Sequence, residues 1–488
     1  MNSTIYEINT RVWIKRFAQN NSAPKLIDIP YNYWETLIDK GIKYVWLMGI
    51  WETAPDTIEK YCFDDGLISE YKKALPDWKP EDVIGSPYAI DNYHINKTLA
   101  TTDEFIQLKK NLNKLGLKII LDFIPNHFSA DTSLLKTNPE IFLQGNEELF
   151  TKDELIYFKA YDGNIYAHGR DPNFPAWLDI IQVNYFSDSA RFFMIDTLKN
   201  ITKLCDGVRC DMAMLPMNNI FQTTWQKPLE MLGTNRIGEE FWVDAIRQTK
   251  EINNDFIFMA EAYWDTEWEL QKLGFDFTYD KRLLDRLESG DAENILEHLQ
   301  AEKEFQQKSV RFIENHDEKR AATTFGIEKS KAAVIVMSTI QGAALFHDGQ
   351  FEGRNVRLPV QLGREPSEEI NNSLVVFYDN LLEIVNHPVF TNGSWSLITP
   401  IQLDHDFTYK NILSWEWTLE KEKRIVVINY SDSSAYCRIK FDVERKQKTV
   451  TLTDLLNETE YEREVIEIEN LGLFIHLEAF ESHVFEIK

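Results

Sequence analysis

Cysteine is scarce in this chain, with four in 488 residues. Cys62, Cys205, Cys210 and Cys437 show no metal-ligand spacing, and nothing in their placement calls for an oxidising compartment. Cys205 and Cys210 lie on or beside an apolar run, where a free thiol packs as a small apolar group. Positive charge is also short: 52 Lys and Arg against 78 Asp and Glu give a net charge of −26. Such a field repels phosphate backbones and acidic lipids, so nucleic acid and membrane surfaces are excluded as partners. A neutral ligand is indifferent to it. Long apolar runs are missing too. The most extended, 332–346, is broken by Ser, Thr and Gln and is too short to cross a bilayer. The first residues run directly into Ile5-Tyr6-Glu7-Ile8-Asn9 with neither the basic start nor the apolar core of a leader, so the expected location is cytoplasmic.

What is present is a large core supply, 43% hydrophobic and 13% aromatic with 13 Trp, on a chain long enough for two or three domains. Short apolar runs ending in polar clusters recur along the first two-thirds. The run 117–121 leads into Asp122-Phe123-Ile124-Pro125-Asn126-His127. Cys205-Asp206-Gly207-Val208-Arg209-Cys210-Asp211 is the second cluster, Glu261 closes Phe256-Ile257-Phe258-Met259-Ala260, and Asn315-His316-Asp317 closes 310–314. Apolar runs of this length read as buried strands, and polar groups at their carboxyl ends read as a site. Period-two alternation puts Gly207, Arg209 and Asp211 on one face and Val208 and Cys210 on the other. An Arg and an Asp on a buried strand are costly unless paired or used. A structural ion pair would explain those two alone; four strand ends each carrying a carboxylate point to an active site.

In chain order, strands are expected at 5–14 and 42–48, with a helix at 31–40 between them. A long insertion follows over 51–85, with a helical piece at 67–74. A helix capped by Thr102 or Asp103 ends at Gly116 and feeds the strand before Asp122. Periodicity then dissolves from Phe128 to Asn184, the mark of a functional insertion. Helices at 189–202, 241–252 and 266–273 alternate with strands at the second and third clusters, then 275–278, 310–313 and 343–346. The last helix of this part is expected at 371–385. Such alternation implies a parallel sheet covered by helices. After Trp395 short alternating strands, such as 424–429, 449–452 and 483–487, read as a β-sandwich.

The four clusters, in this order and spacing, resemble the four characteristic regions of the α-amylase family of glycoside hydrolases. The resemblance implies an α/β fold: a (β/α)8 TIM barrel with a small inserted domain after strand 3 and a C-terminal β-sandwich domain. The barrel would comprise 1–127 and 185–390, the irregular insert 128–184 and the sandwich 391–488. It also implies that Asp211 is the nucleophile, Glu261 the general acid/base and Asp317 a transition-state stabiliser. Arg209 would keep Asp211 ionised, and an apolar setting among Ala260, Ala262 and Trp264 would raise the pKa of Glu261. His127 and His316 would donate to sugar hydroxyls, Asp122 and Asn315 would orient their neighbours, and Tyr88 would sit under the first sugar. The partner would be a neutral carbohydrate.

Three departures matter. Met214 and Leu215 stand where the family has a Lys-His pair whose His helps hold calcium. Asn126 matches a calcium-ligand position, but its partner ligands are not identifiable, so no cofactor is expected to be required. Met212 after the nucleophile, and the stretch around Gln182, match no linkage-specific pattern. The expected activity is a retaining hydrolase of α-glucosidic bonds in oligosaccharides or short α-glucans. Its alternatives are a transglycosylase on the same scaffold and a non-catalytic sugar-binding relative. The oligomeric state is not legible.

Overall fold

The computed structural model describes residues 3–18, 23–233, 238–443 and 448–487. Eight parallel strands close into a barrel: β1 (Thr4–Asn9), β2 (Tyr44–Met48), β3 (Lys118–Phe123), β4 (Gly207–Cys210), β5 (Ile257–Ala260), β6 (Phe277–Tyr279), β7 (Ser309–Arg311) and β8 (Ala343–His347). They pair in sequence order and β8 closes on β1. Every residue of β2 and β4 is buried, which is why such strands read as continuous apolar runs. The expected strand 5–14 is shorter than read: it stops at Asn9 and Thr10–Trp13 turns into helix. Apolar Val12, Trp13 and Ile14 are buried, so hydrophobicity alone did not mark the break. β7 likewise ends at Arg311, two residues early, leaving a six-residue approach to Asp317.

The helix Thr102–Leu115 shows how local sequence sets the frame. Its cap is Thr101, one residue before the expected one. Thr101 Oγ1 accepts from the Glu104 amide and the Glu104 carboxylate accepts from the Thr101 amide, a reciprocal pair that satisfies two helix-end donors. Phe105, Leu108 and Leu112 bury one face, and Gly116 ends the helix at φ +90°, which a side chain would resist.

Two insertions roof the barrel. Trp51–Thr53 and Ile90–Ile95 pair antiparallel around helices Asp56–Tyr61 and Asp65–Ala74. Tyr93 Oη accepts from the Ile124 amide and donates to its carbonyl, both at 2.8 Å, pinning this insertion to the end of β3. The second insertion is not irregular as expected. It holds a four-stranded antiparallel sheet built from His127–Ser129, Tyr157–Lys159, Ile165–Gly169 and Trp177–Gln182. Strands of three to six residues carry too few alternations to be legible.

After the helices Asn372–Val385 and Pro388–Asn392 the chain forms a six-stranded sheet and a two-stranded sheet. Strand Glu422–Asn429 divides its faces. Val426 and Ile428 join the core shared with the barrel, whereas Ile425 and Val427 pack with Cys437, Ile439, Ile475 and Leu477 of the smaller sheet. Trp417 Nε1 donates to the Thr339 carbonyl at 2.6 Å and Tyr430 Oη to that of Leu287 at 2.9 Å. Among the described residues no helix is long and apolar enough to cross a membrane.

Candidate active site

Strand register assembles the site. Arg209 lies level with Asp122 on β3 and Met259 on β5. Asp211 and Glu261 each sit one residue past their strand, held by Asp211 N to Phe123 O at 2.8 Å and Glu261 N to Cys210 O at 3.0 Å. One inward Arg therefore faces three carboxylates. Its Nη1 is 2.8 Å from Asp211 Oδ1 and 3.6 Å from Asp122 Oδ1, and its Nη2 is 2.8 Å from Glu261 Oε2. The rings of Trp46, Tyr88 and Tyr279 surround the guanidinium at 5.2, 5.3 and 5.7 Å, a favourable desolvated setting for a cation. Arg209 is wholly buried.

Glu261 is held on both oxygens. Oε2 accepts from Arg209 and from the Met212 amide at 2.7 Å, and Oε1 faces the Tyr263 hydroxyl at 3.1 Å. Two N–H donors on Oε2 leave Oε1 as the oxygen that carries a proton. Met212 reaches Glu261 by taking φ +42°, and Trp264 and Asp265 follow at +58° and +65°. Such backbone is sparsely populated and collects at sites. Burial pushes the Glu261 pKa up to about 7 against Arg209, helped by the Asp211 and Asp317 charges. Trp264 has little part in that enclosure, being 38% exposed. Burial also raises Asp211, against the opposing pull of Arg209. It pushes Asp122 up to about 7 against Arg209 and His316.

Asp317 stands at the mouth, its side chain 47% exposed. Partial desolvation by the cleft walls would raise its pKa, but the charge and hydrogen bond of His316 overcome this and hold it at about 2. Asn315 Oδ1 accepts from the amides of Asp317 and Glu318 at 2.9 Å each, fixing that turn. Both histidines are more engaged than expected. His316 Nδ1 meets Glu7 Oε1 at 2.5 Å, and its Nε2 meets Asp317 Oδ2 at 2.9 Å and Tyr88 Oη at 2.8 Å. His127 faces the Asn126 side-chain amide at 3.3 Å through Nδ1 and hydrogen-bonds the backbone of Tyr88. Burial pushes its pKa down to about 3, so it is neutral. Tyr88 stacks on His316 at 5.5 Å.

Four members escaped the sequence reading: Glu7, Trp46, Tyr263 and Tyr279. Glu7 had a signal, a lone carboxylate inside Ile5-Tyr6-Glu7-Ile8 with the same oddity as Arg209. The aromatic residues had none, because a ring in an apolar run reads as core.

The surroundings of Asn126 do not suit calcium. Its Oδ1, the oxygen a cation would need, accepts from Gln182 Nε2 at 2.9 Å, and the same Nε2 takes the Asn126 and Val183 carbonyls. No group of three or more His, Cys, Asp or Glu fit to hold a metal occurs among the described residues, and calcium takes six to eight oxygens. A chelator is expected to leave melting temperature and turnover unchanged. A fall that calcium restores would show ligands elsewhere.

Residues 37–177 match the family model described as the alpha amylase catalytic domain. Alpha-amylase MalA of Haloarcula japonica is 23% identical over 347 residues, covering 70% of this chain and 47% of that protein. The chain thus spans about half the length of that relative. Alpha-amylase 3 of Dictyoglomus thermophilum is 22% identical, covering 70% of this chain and 73% of that protein. In fold, the chain resembles the noncanonic maltogenic alpha-amylase AmyB from Thermotoga neapolitana, with a TM-score of 0.72 at 20% identity over 99% of this chain and 98% of that one. It also resembles the alpha-amylase from H.orenii, with a TM-score of 0.65 at 18% identity over 100% of this chain and 99% of that one. With its closed barrel and ordered strand-end clusters, the chain resembles these alpha-amylases, and its residues 37–177 match the catalytic-domain model of the alpha-amylase family.

Proposed function

We propose that this chain hydrolyses α-glucosidic bonds in oligosaccharides or short α-glucans with retention of configuration. The observation that carries the reading is the single guanidinium bridging Asp211 and Glu261, at 2.8 Å from each. One guanidinium held by both carboxyl groups supports the short separation of about 5–5.5 Å used for direct attack over the roughly 6.5–9.5 Å that admits a water between them. Arg209 takes Asp211 Oδ1, which leaves Oδ2 to attack the anomeric carbon. As that bond forms, the bond to the leaving oxygen breaks and Glu261 Oε1 delivers its proton to it. Glu261, now ionised, then takes a proton from water, whose oxygen attacks the same carbon and expels Asp211. Asp317, held ionised by His316, faces the positive charge that builds on the ring in both steps. Relatives named alpha-amylase support the choice of α-glucosides.

The test is product analysis on maltose, isomaltose, sucrose, trehalose and maltooligosaccharides, with the first-formed anomer read by proton NMR. The α-anomer is expected first. A β-anomer first, or no cleavage of any member, overturns the reading, and products longer than the substrate show transfer instead. The proton on Glu261 must be present for the first step and leaves as pH rises through about 7. The kcat/KM profile should therefore fall above about pH 7.

A further inference from the structure

We infer that Glu7 is a positioning residue: its carboxylate keeps His316 doubly protonated, and through it keeps Asp317 ionised and aimed into the cleft. This rests on the reading of Asp317 just given.

The geometry is a chain of three groups, one from β1 and two from the turn that follows β7, a strand that does not neighbour β1. Glu7, in the middle of β1, is fully buried, and its Oε1 lies 2.5 Å from His316 Nδ1. His316 Nε2 lies 2.9 Å from Asp317 Oδ2. A carboxylate accepts and cannot donate, so with oxygens of two carboxylates at its two nitrogens the imidazole needs N–H on both. Tyr88 Oη, 2.8 Å from the same Nε2, can accept alongside Asp317.

The other groups around His316 do not supply a substitute. Trp46 on β2 presents a ring at 5.5 Å. Asp122 and Asp211 act on it only at longer range, and both lie against the Arg209 guanidinium. Across a small cavity stand Arg16, Arg320, His347, Asp348, Arg354, Glu365 and Glu368. There Arg16 is paired with Asp348 and Glu365, Arg354 with Glu365, and Arg320 with Glu314. Burial alone would make His316 neutral; Asp317 and Glu7 reverse it and raise its pKa well above the ordinary value.

Glu7 also leaves Oε2 buried without a partner. An unsatisfied acceptor of that kind asks for a reason beyond packing. A Gln of the same shape would fill the same space, yet it carries no charge to hold a cation.

The experiment uses the full chain labelled on histidine nitrogen. The chain has ten His, and His316 is assigned by the signal lost in His316→Gln. Wild-type His316 is expected to remain doubly protonated at pH 8, and in Glu7→Gln to titrate at least about tenfold more readily, one pH unit or more lower. On a maltooligosaccharide, Glu7→Gln should lose about tenfold or more in kcat/KM at pH 8, and less at pH 5.5, where His316 regains its proton. A neutral His316 in the wild type at pH 8 overturns the inference. So does an unchanged His316 titration in Glu7→Gln, whatever happens to the melting temperature. Should Glu7→Gln not fold, Glu7→Met, which also removes the charge, serves the same comparison. If neither the wild type nor any variant cleaves a sugar while His316 titrates as expected, the functional reading fails and the role of Glu7 toward His316 stands.

Discussion

Asp211→Ala should abolish turnover on every α-glucoside, a loss on the order of 10⁶-fold, the scale on which removal of a nucleophile is felt. Glu261→Ala should behave differently. Its loss is roughly 10²–10⁴-fold and is confined to substrates whose leaving oxygen needs a proton. An α-glycosyl fluoride departs without one, so Glu261→Ala should still be glycosylated by it and then stall, because no base remains to activate water. Azide needs no base. Added azide should release the intermediate as the α-configured glycosyl azide, since two inversions restore the starting face. Mass spectrometry of the stalled protein and NMR of the azide product check both halves. A β-azide, or full activity of Glu261→Ala on natural sugars, would remove Glu261 from this role.

The second large effect falls on stability. Arg209→Met removes the guanidinium that contacts Asp122, Asp211 and Glu261 while leaving all three buried. Breaking a buried pair from one side costs about 3–5 kcal/mol. The loss should depend on pH with a definite sign. These carboxylates already have folded pKa values above their ordinary ones, and without Arg209 they rise further. A carboxylate whose folded pKa is raised binds more protons folded than unfolded, so its contribution to stability declines as pH rises from about 4 through the folded value. The gap in melting temperature between Arg209→Met and wild type should widen from pH 5 to pH 8. A gap that is absent at pH 8, or that narrows toward it, would mean the guanidinium does not hold these charges. Arg209→Lys should restore part of the stability but little turnover, since one ammonium cannot span both carboxylates as the guanidinium fork does.

The parts of this molecule that were legible in the sequence are those where a charge interrupts an apolar run. Arg209, Asp122 and Glu261 stand out because burying a charge is expensive, and the cost marks the place. The barrel was legible for the same reason: β3, β4 and β5 are apolar stretches that carry those residues at or just past their ends. Where the chain used ordinary chemistry, nothing stood out. Trp46 and Tyr279 help enclose Arg209, yet each is an aromatic residue in a run of aromatic and aliphatic ones. The insert sheet joins His127–Ser129 to Trp177–Gln182 across 47 residues, and pairing over such a distance leaves no local trace. Partner choice was also hidden. His316 was visible beside Asp317, but its bond to Glu7 joins positions 309 apart, and only the closure of β8 on β1 brings them together.

Strand Glu422–Asn429 gives its two faces to two different cores, one of them continuous with the barrel. The consequence is thermodynamic indivisibility. Cutting the chain near residue 390 would not subtract an accessory module but would strip the cover from Trp417, Val426 and Ile428 and from the barrel helices they rest on. Burial shared in this way ties the melting of the C-terminal sheets to that of the barrel, so heat should meet one cooperative transition.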